Sequence, residues 1–108
     1  MHVEFEKEYL VELYKFGKSK NKKYRFQPSV IKNYKKRIDT LIGAPNVEAL
    51  YMLNSLNYEV LKGDKKGISS IRIDKKYRLE FIIPIHSTGE ALITICSIID
   101  ISNHYEEK

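Results

Sequence analysis

Ile71, Ile73, Tyr77, Leu79, Phe81 and Ile83 all stand at odd positions in GISSIRIDKKYRLEFIIP, the stretch from Gly67 to Pro84. A period of two places them on a single face of an extended chain, so the stretch can bury that face only as strands. Arg72, Arg78 and Glu80 then share the opposite face. The polar residues Asp74, Lys75 and Lys76 break the apolar pattern and predict a hairpin turn.

Two registers are open. In one, Asp74–Lys76 is the loop, Ile73 pairs with Tyr77, Ile71 with Leu79, and Arg72 stands directly opposite Arg78. Like charges directly opposite cost about 0.2–1 kcal/mol, and a local rule broken at a surface hints at a site. Two guanidiniums on a rigid sheet suit a phosphate. In the other register Arg72 meets Glu80 and Asp74 meets Arg78, as ordinary surface ion pairs, but Tyr77 falls into the loop. The first keeps that aromatic on the buried face and is the one expected, with Glu80 diagonal to Arg72.

Upstream the period is helical. HVEF suits a short first strand, and from Glu6 the residues Tyr9, Leu10, Leu13, Tyr14 and Phe16 predict a helix that Gly17 stops. Pro28 suits the first turn of a second helix, whose apolar stripe is Val30, Ile31, Tyr34, Ile38, Leu41 and Ile42, ended by Gly43 and Pro45. Asn46 can cap a short third helix, VEALYMLN. After Asn57, YEVL, ISSIRI, YRLEFIIP and ALITICSIIDIS predict four strands, antiparallel where the loops are short. The near-continuous apolar run Ala91–Ile101 predicts an interior strand, covered on both faces for part of its length. The expected fold is a single α+β domain over 1–108, with N-terminal helices packed on a twisted antiparallel sheet.

Charge narrows the partners. The chain carries +5 formally, and Lys15 to Arg37 holds ten Lys/Arg and no acid. Such a field predicts an anionic partner. Cys96 is the one cysteine, which excludes an internal disulfide and predicts a small core residue. No apolar stretch reaches the roughly 18 residues of a membrane span, and MHVEFEKEYL is too charged for a signal peptide. The expected location is the cytoplasm, with no membrane partner. His2 and His86 read as a terminal and a turn residue; His104 follows the last strand.

LNYEVLKGDKKGISSIRIDKKYRLEF followed by ICSIIDISNHY resembles the HigB toxins of bacterial type II toxin–antitoxin systems, in the RelE/ParE superfamily. The resemblance covers Asn57–Tyr105 and rests on Leu-Lys-Gly-Asp, Ser-Ile-Arg-Ile and Tyr-Arg-Leu-Glu-Phe at the family's spacing. It implies ribosome-dependent cleavage of messenger RNA and a cognate antitoxin, expected to be a helix-turn-helix protein. It also implies catalytic roles for Lys62, Arg72, Arg78, His104 and Tyr105 around the scissile phosphate, with no cofactor and no metal. The C-terminal Ser-Asn-His-Tyr departs from the Asp-Tyr-His of many relatives, so the acid and base stay unassigned between these residues.

The chemistry is consistent with those residue types. Attack by a neighbouring 2′-hydroxyl needs a proton acceptor, charge stabilisation on the phosphorane and a proton donor for the 5′-oxygen. His104 titrates in the right range, and Arg72 and Arg78 suit the equatorial oxygens. Lys62 can share that role. Lys65, Lys66, Lys76, Tyr77, Lys22, Lys23 and Arg25 are candidate RNA contacts, Tyr77 or Tyr105 by stacking on a base. Two rival readings use the same fold: inhibition of DNA gyrase by protein contact, and a non-catalytic RNA-binding module.

Overall fold

A computed structural model describes residues 1–83 and 95–103. His86, the loop IHSTGE, the first residues of the last predicted strand, and His104 and Tyr105 lie outside the described residues.

The helices form where the spacing places them. α1 (Glu8–Phe16) buries Tyr9, Leu10 and Leu13. It ends because Gly17 adopts φ 77°, the left-handed conformation, letting its N–H reach the Leu13 carbonyl at 3.1 Å. α2 (Pro28–Gly43) starts on Pro28 and buries Val30, Tyr34, Ile38 and Leu41. Ile42, expected in that stripe, is exposed, because Leu41 takes the inward position of the last turn. The Tyr34 hydroxyl, buried between the helices, donates to the Leu10 carbonyl at 2.7 Å. α3 (Glu48–Tyr51) is one turn, shorter than its pattern, with Asn46 Oδ1 accepting from the Ala49 N–H at 3.1 Å.

The strands are β1 (His2–Phe5), β2 (Glu59–Val60), β3 (Ser69–Arg72), β4 (Arg78–Ile82) and β5 (Ile95–Ser102). Among the described residues they form one sheet in the order β1-β5-β4-β3-β2. β2 to β5 pair antiparallel as expected. The sheet as a whole is mixed, which corrects the all-antiparallel expectation: β1 runs parallel to β5, from His2 against Ile95 to Phe5 against Ile98. A strand of four residues separated from its partner by the whole helical half carries no local signal of its direction.

The β3–β4 register is the one that keeps Tyr77 out of the loop. Ile71 faces Leu79, Arg72 faces Arg78, and the Ile73 N–H donates to the Tyr77 carbonyl at 2.9 Å. Asp74 closes the turn, its Oδ1 accepting from the N–H groups of Lys76 and Tyr77, each at 2.8 Å.

The helices cover one face, where Ile71, Ile73, Leu79, Phe81, Cys96 and Ile98 are buried. Burying each large aliphatic contributes about 1.5–3 kcal/mol. β5 lies inside the sheet, between β1 and β4. Its described part is not covered on both faces throughout: Cys96 and Ile98 are buried while Ile95, Ser97 and Ile99 are half-buried. The register shifts between Glu80, opposite Asp100, and Phe81, opposite Ile98, leaving Ile99 as a bulge. That extra residue brings both Ile98 and Ile101 opposite core residues of β4.

Candidate functional site

Opposite the helices the sheet carries two polar rows. One runs Arg72, Arg78, Ser102; the next runs Glu59, Ser70, Glu80, Asp100. Rows of this kind follow from register, since residues paired across strands share a face.

The two arginines are adjacent but unlike. Arg72 is exposed, and no carboxylate among the described residues lies within ion-pair distance of it. Arg78 is 2% exposed, where the sequence reading expected a surface side chain. Its Nε donates to the Ser70 hydroxyl, and one terminal nitrogen donates to the Ser70 carbonyl at 3.2 Å and to the Asn57 carbonyl. Asn57 turns its backbone at φ 51°, a left-handed conformation that asparagine tolerates. Burial lowers the Arg78 pKa; Glu59 opposes that, and the charge on Arg72 adds to it. An arginine nonetheless stays protonated. Arg78 thus pins the start of the β2 segment to the sheet while holding a positive charge beside Arg72.

A third guanidinium stands at the same end of β3. Arg37, on α2, donates from Nε to the Arg72 carbonyl at 2.7 Å. Arg37 lies in the acid-free block from Lys15 to Arg37, where nothing in the local pattern sets it apart from the other cations. Only the docking of α2 against the sheet brings it there.

Glu80 lies diagonal to Arg72, as expected, but it is 3% exposed and its ion-pair partner is Lys65, at 2.8 Å. Lys65 and Lys66, both candidate RNA contacts, are both exposed, but Lys65 is engaged by Glu80. Lys62 is exposed and enters the turn Gly63–Lys65, which needs Gly63 at φ 68°. The Leu61 N–H donates to the Ile68 carbonyl, so Lys62 sits beyond the opposite end of β3 from Arg72. At roughly 3.3 Å per residue the two backbones are about 15 Å apart. The structure brings Arg72 and Arg78 together, adds Arg37, and leaves Lys62 a strand length away.

The remaining candidates lie along the connector and the hairpin turn. Tyr77 is half-buried, edge-on to Phe26 with centroids 5.3 Å apart, and the Lys76 ammonium lies 5.8 Å from its ring. Lys22, Lys23 and Arg25 are exposed, Lys23 lying 5.7 Å from the Tyr24 ring, which itself stacks on Tyr9 at 3.6 Å. Through Phe26 and Tyr77 the basic connector and the arginine hairpin are in contact. Cys96 is fully buried and burial pushes its thiol up to about 12, which makes it a core residue. Among the described residues no group of three or more His, Cys, Asp or Glu side chains could hold a metal ion. No helix of the described residues is long and apolar enough to cross a membrane.

A family profile describing the RelE-like toxin of the type II toxin–antitoxin system HigB matches residues 3–88. Among solved structures, the chain is similar to a YoeB/ParE toxin from Agrobacterium tumefaciens. The TM-score is 0.54 and the identity 18%, over 97% of this chain and 100% of that one. At that identity the likeness is one of fold. No curated protein matches the chain.

Proposed function

This chain belongs to the RelE-like HigB toxins of type II toxin–antitoxin systems, and from that premise we propose that it is an endoribonuclease that cleaves messenger RNA on the ribosome. Membership implies an antitoxin partner; a helix-turn-helix antitoxin is the form we propose. The observation that supports nuclease action is the pairing of Arg72 with Arg78, a charge repulsion retained on a rigid sheet with Arg37 beside it.

In the proposed reaction the 2′-oxygen attacks the adjacent phosphorus. The 2′-O–P bond forms, the P–O5′ bond breaks, one group takes the 2′ proton and another protonates the departing 5′-oxygen. No metal ion is required for this balance. Arg72 contacts the equatorial oxygens, and Arg78, already desolvated, adds its field from the neighbouring strand at no cost of reorganisation. Lys62 suits a neighbouring phosphate of the same strand. His104 and Tyr105 are the proposed proton-transfer groups.

Primer extension on messenger RNA translated in a reconstituted system tests this reading. New 5′ ends are expected with the wild-type chain and not with Arg72→Ala. Intact messenger RNA together with loss of gyrase supercoiling activity would overturn it in favour of a protein-directed toxin; RNA binding without new ends would favour a non-catalytic module.

A further inference from the structure

Phe16 closes α1 and is 70% exposed, an unusual position for a residue with a phenyl ring. It lines an open depression of about 560 Å³ together with Glu12, Lys18, Ser19, Lys20, Lys22 and Arg25. Phe16 is the one apolar side chain in that lining. Glu12 is the one acid, and it is already engaged: its Oε1 accepts from the Ser19 hydroxyl at 2.8 Å and from the Lys20 N–H at 3.0 Å. Lys18, Lys20, Lys22 and Arg25 are all exposed, and none of their side chains lies within ion-pair distance of a carboxylate among the described residues, although the Lys20 charge is felt at Glu12.

We propose that Phe16 and these four cations form a stacking site for an unpaired RNA base and its flanking phosphates. The inference rests on the reading of this chain as an RNA-directed toxin and adds a binding site outside the arginine hairpin. Single-stranded RNA is held by an aromatic platform set in a cationic track, since every base has a π-face and every linkage a charge. Protein interfaces have the reverse composition: contiguous apolar cores depleted of lysine. The surface at Tyr51, Met52 and Leu53, three consecutive exposed apolar residues, is of that second kind; the surface at Phe16 is not.

The site is also built in advance. Gly17 turns the chain sharply after Phe16, and the Glu12 carboxylate holds the following loop by two hydrogen bonds. Asn21 continues the order, accepting from the Lys23 N–H at 3.0 Å. The cations therefore stand on a fixed loop beside the ring. The same connector reaches the arginine hairpin through Phe26 against Tyr77, so one strand could engage both surfaces.

The test compares wild type, Phe16→Ala and Phe16→Tyr by fluorescence anisotropy, using a short unstructured oligoribonucleotide and an abasic ribose-phosphate chain of equal length. Phe16→Ala is expected to weaken the oligoribonucleotide by about tenfold, the size of one lost base stack. Phe16→Tyr should restore it, and the abasic chain should bind all three alike. Equal affinity of wild type and Phe16→Ala for the oligoribonucleotide would overturn the proposal. Thermal melts, expected to coincide, show that the exposed substitution leaves the fold intact.

A photo-crosslinking p-benzoylphenylalanine in place of Phe16, on translating ribosomes, separates the two sources of RNA. Crosslinks to messenger RNA or to ribosomal RNA each support the site, whereas crosslinks to protein alone overturn it. Loss of cleavage in Arg72→Ala with unchanged RNA affinity in Phe16→Ala would sink this site and leave the nuclease reading standing. A Phe16-dependent RNA affinity without any cleavage would do the opposite.

Discussion

Arg72 and Arg78 are direct cross-strand partners, yet one side chain is exposed and the other is buried against Ser70 and Asn57. The same repulsion thus has two different owners, a surface charge free to meet an anion and an internal one that holds the scaffold. Their substitutions should separate accordingly.

Arg72→Ala should leave the melting temperature within error, since no described carboxylate pairs with it, and lower cleavage by about a hundredfold or more. Arg78→Ala should destabilise by about 1–3 kcal/mol, because the Ser70 and Asn57 acceptors lose a charged donor. Denaturation and primer extension on the same preparations check both. Equal stability losses in the two variants would contradict the assignment.

Lys65 and Glu80 should behave as a coupled pair. Lys65→Met strands the buried carboxylate and should cost about 1 kcal/mol, a modest figure because the lysine end is half exposed. Adding Glu80→Gln should recover part of that loss, as a positive coupling in a double-mutant cycle. In RNA-binding titrations Lys66→Gln should reduce the salt slope by about 0.7, and Lys65→Gln by less. An equal reduction from both lysines would show that Lys65 leaves Glu80 when RNA binds.

Tyr9 fastens α1 to the end of β5 beyond β1. Its hydroxyl donates to Asp100 and accepts from the Ile101 N–H at 3.0 Å, and Lys7 lies 3.4 Å from the other Asp100 oxygen. Burial raises the phenol pKa far above its ordinary value, so the hydroxyl stays a donor at any working pH. Tyr9→Phe keeps the stack on Tyr24 but loses both hydrogen bonds, and should cost about 1–2 kcal/mol. Urea unfolding with an unchanged slope is the expected readout.

Glu12 gives the connector a pH dependence. The Ser19 hydroxyl first, and the Lys20 N–H next, hold its carboxyl below the ordinary glutamate value. The folded chain therefore releases this proton more readily than the unfolded one. The contribution to stability is present above the unfolded pKa and is lost as pH falls through the lowered folded value. The Lys20 amide chemical shift should move with a midpoint below the ordinary range, and Glu12→Gln should abolish that transition. A midpoint at or above the ordinary value would refute the loop anchor.

Much of this was legible in the residues. The switch from a helical to a two-residue period separated the halves correctly, and Gly17, Pro28 and Gly43 bounded the helices within a residue or two. The odd-numbered apolar set fixed which face β3 and β4 bury and left two registers open; keeping Tyr77 on the buried face favoured the one observed. Not legible were the parallel pairing of β1, the bulge at Ile99, and the capture of Lys65 by Glu80. Each depends on how distant segments meet. A parallel partner leaves no turn signal, and a bulge inserts one residue into a run that reads as continuous.

Taken alone, the chain's residues determined which segments are helices and strands and which side chains of the hairpin share a face, and through Tyr77 they favoured Arg72 opposite Arg78, since periodicity and turn chemistry act over a few neighbouring positions. Only the tertiary structure decided that Arg78 is buried while Arg72 is exposed, that Arg37 joins them from α2, and that Lys62 stands a strand length away. Alternation tells which face a side chain takes; what covers that face is set by segments remote in the chain, and no local pattern encodes it.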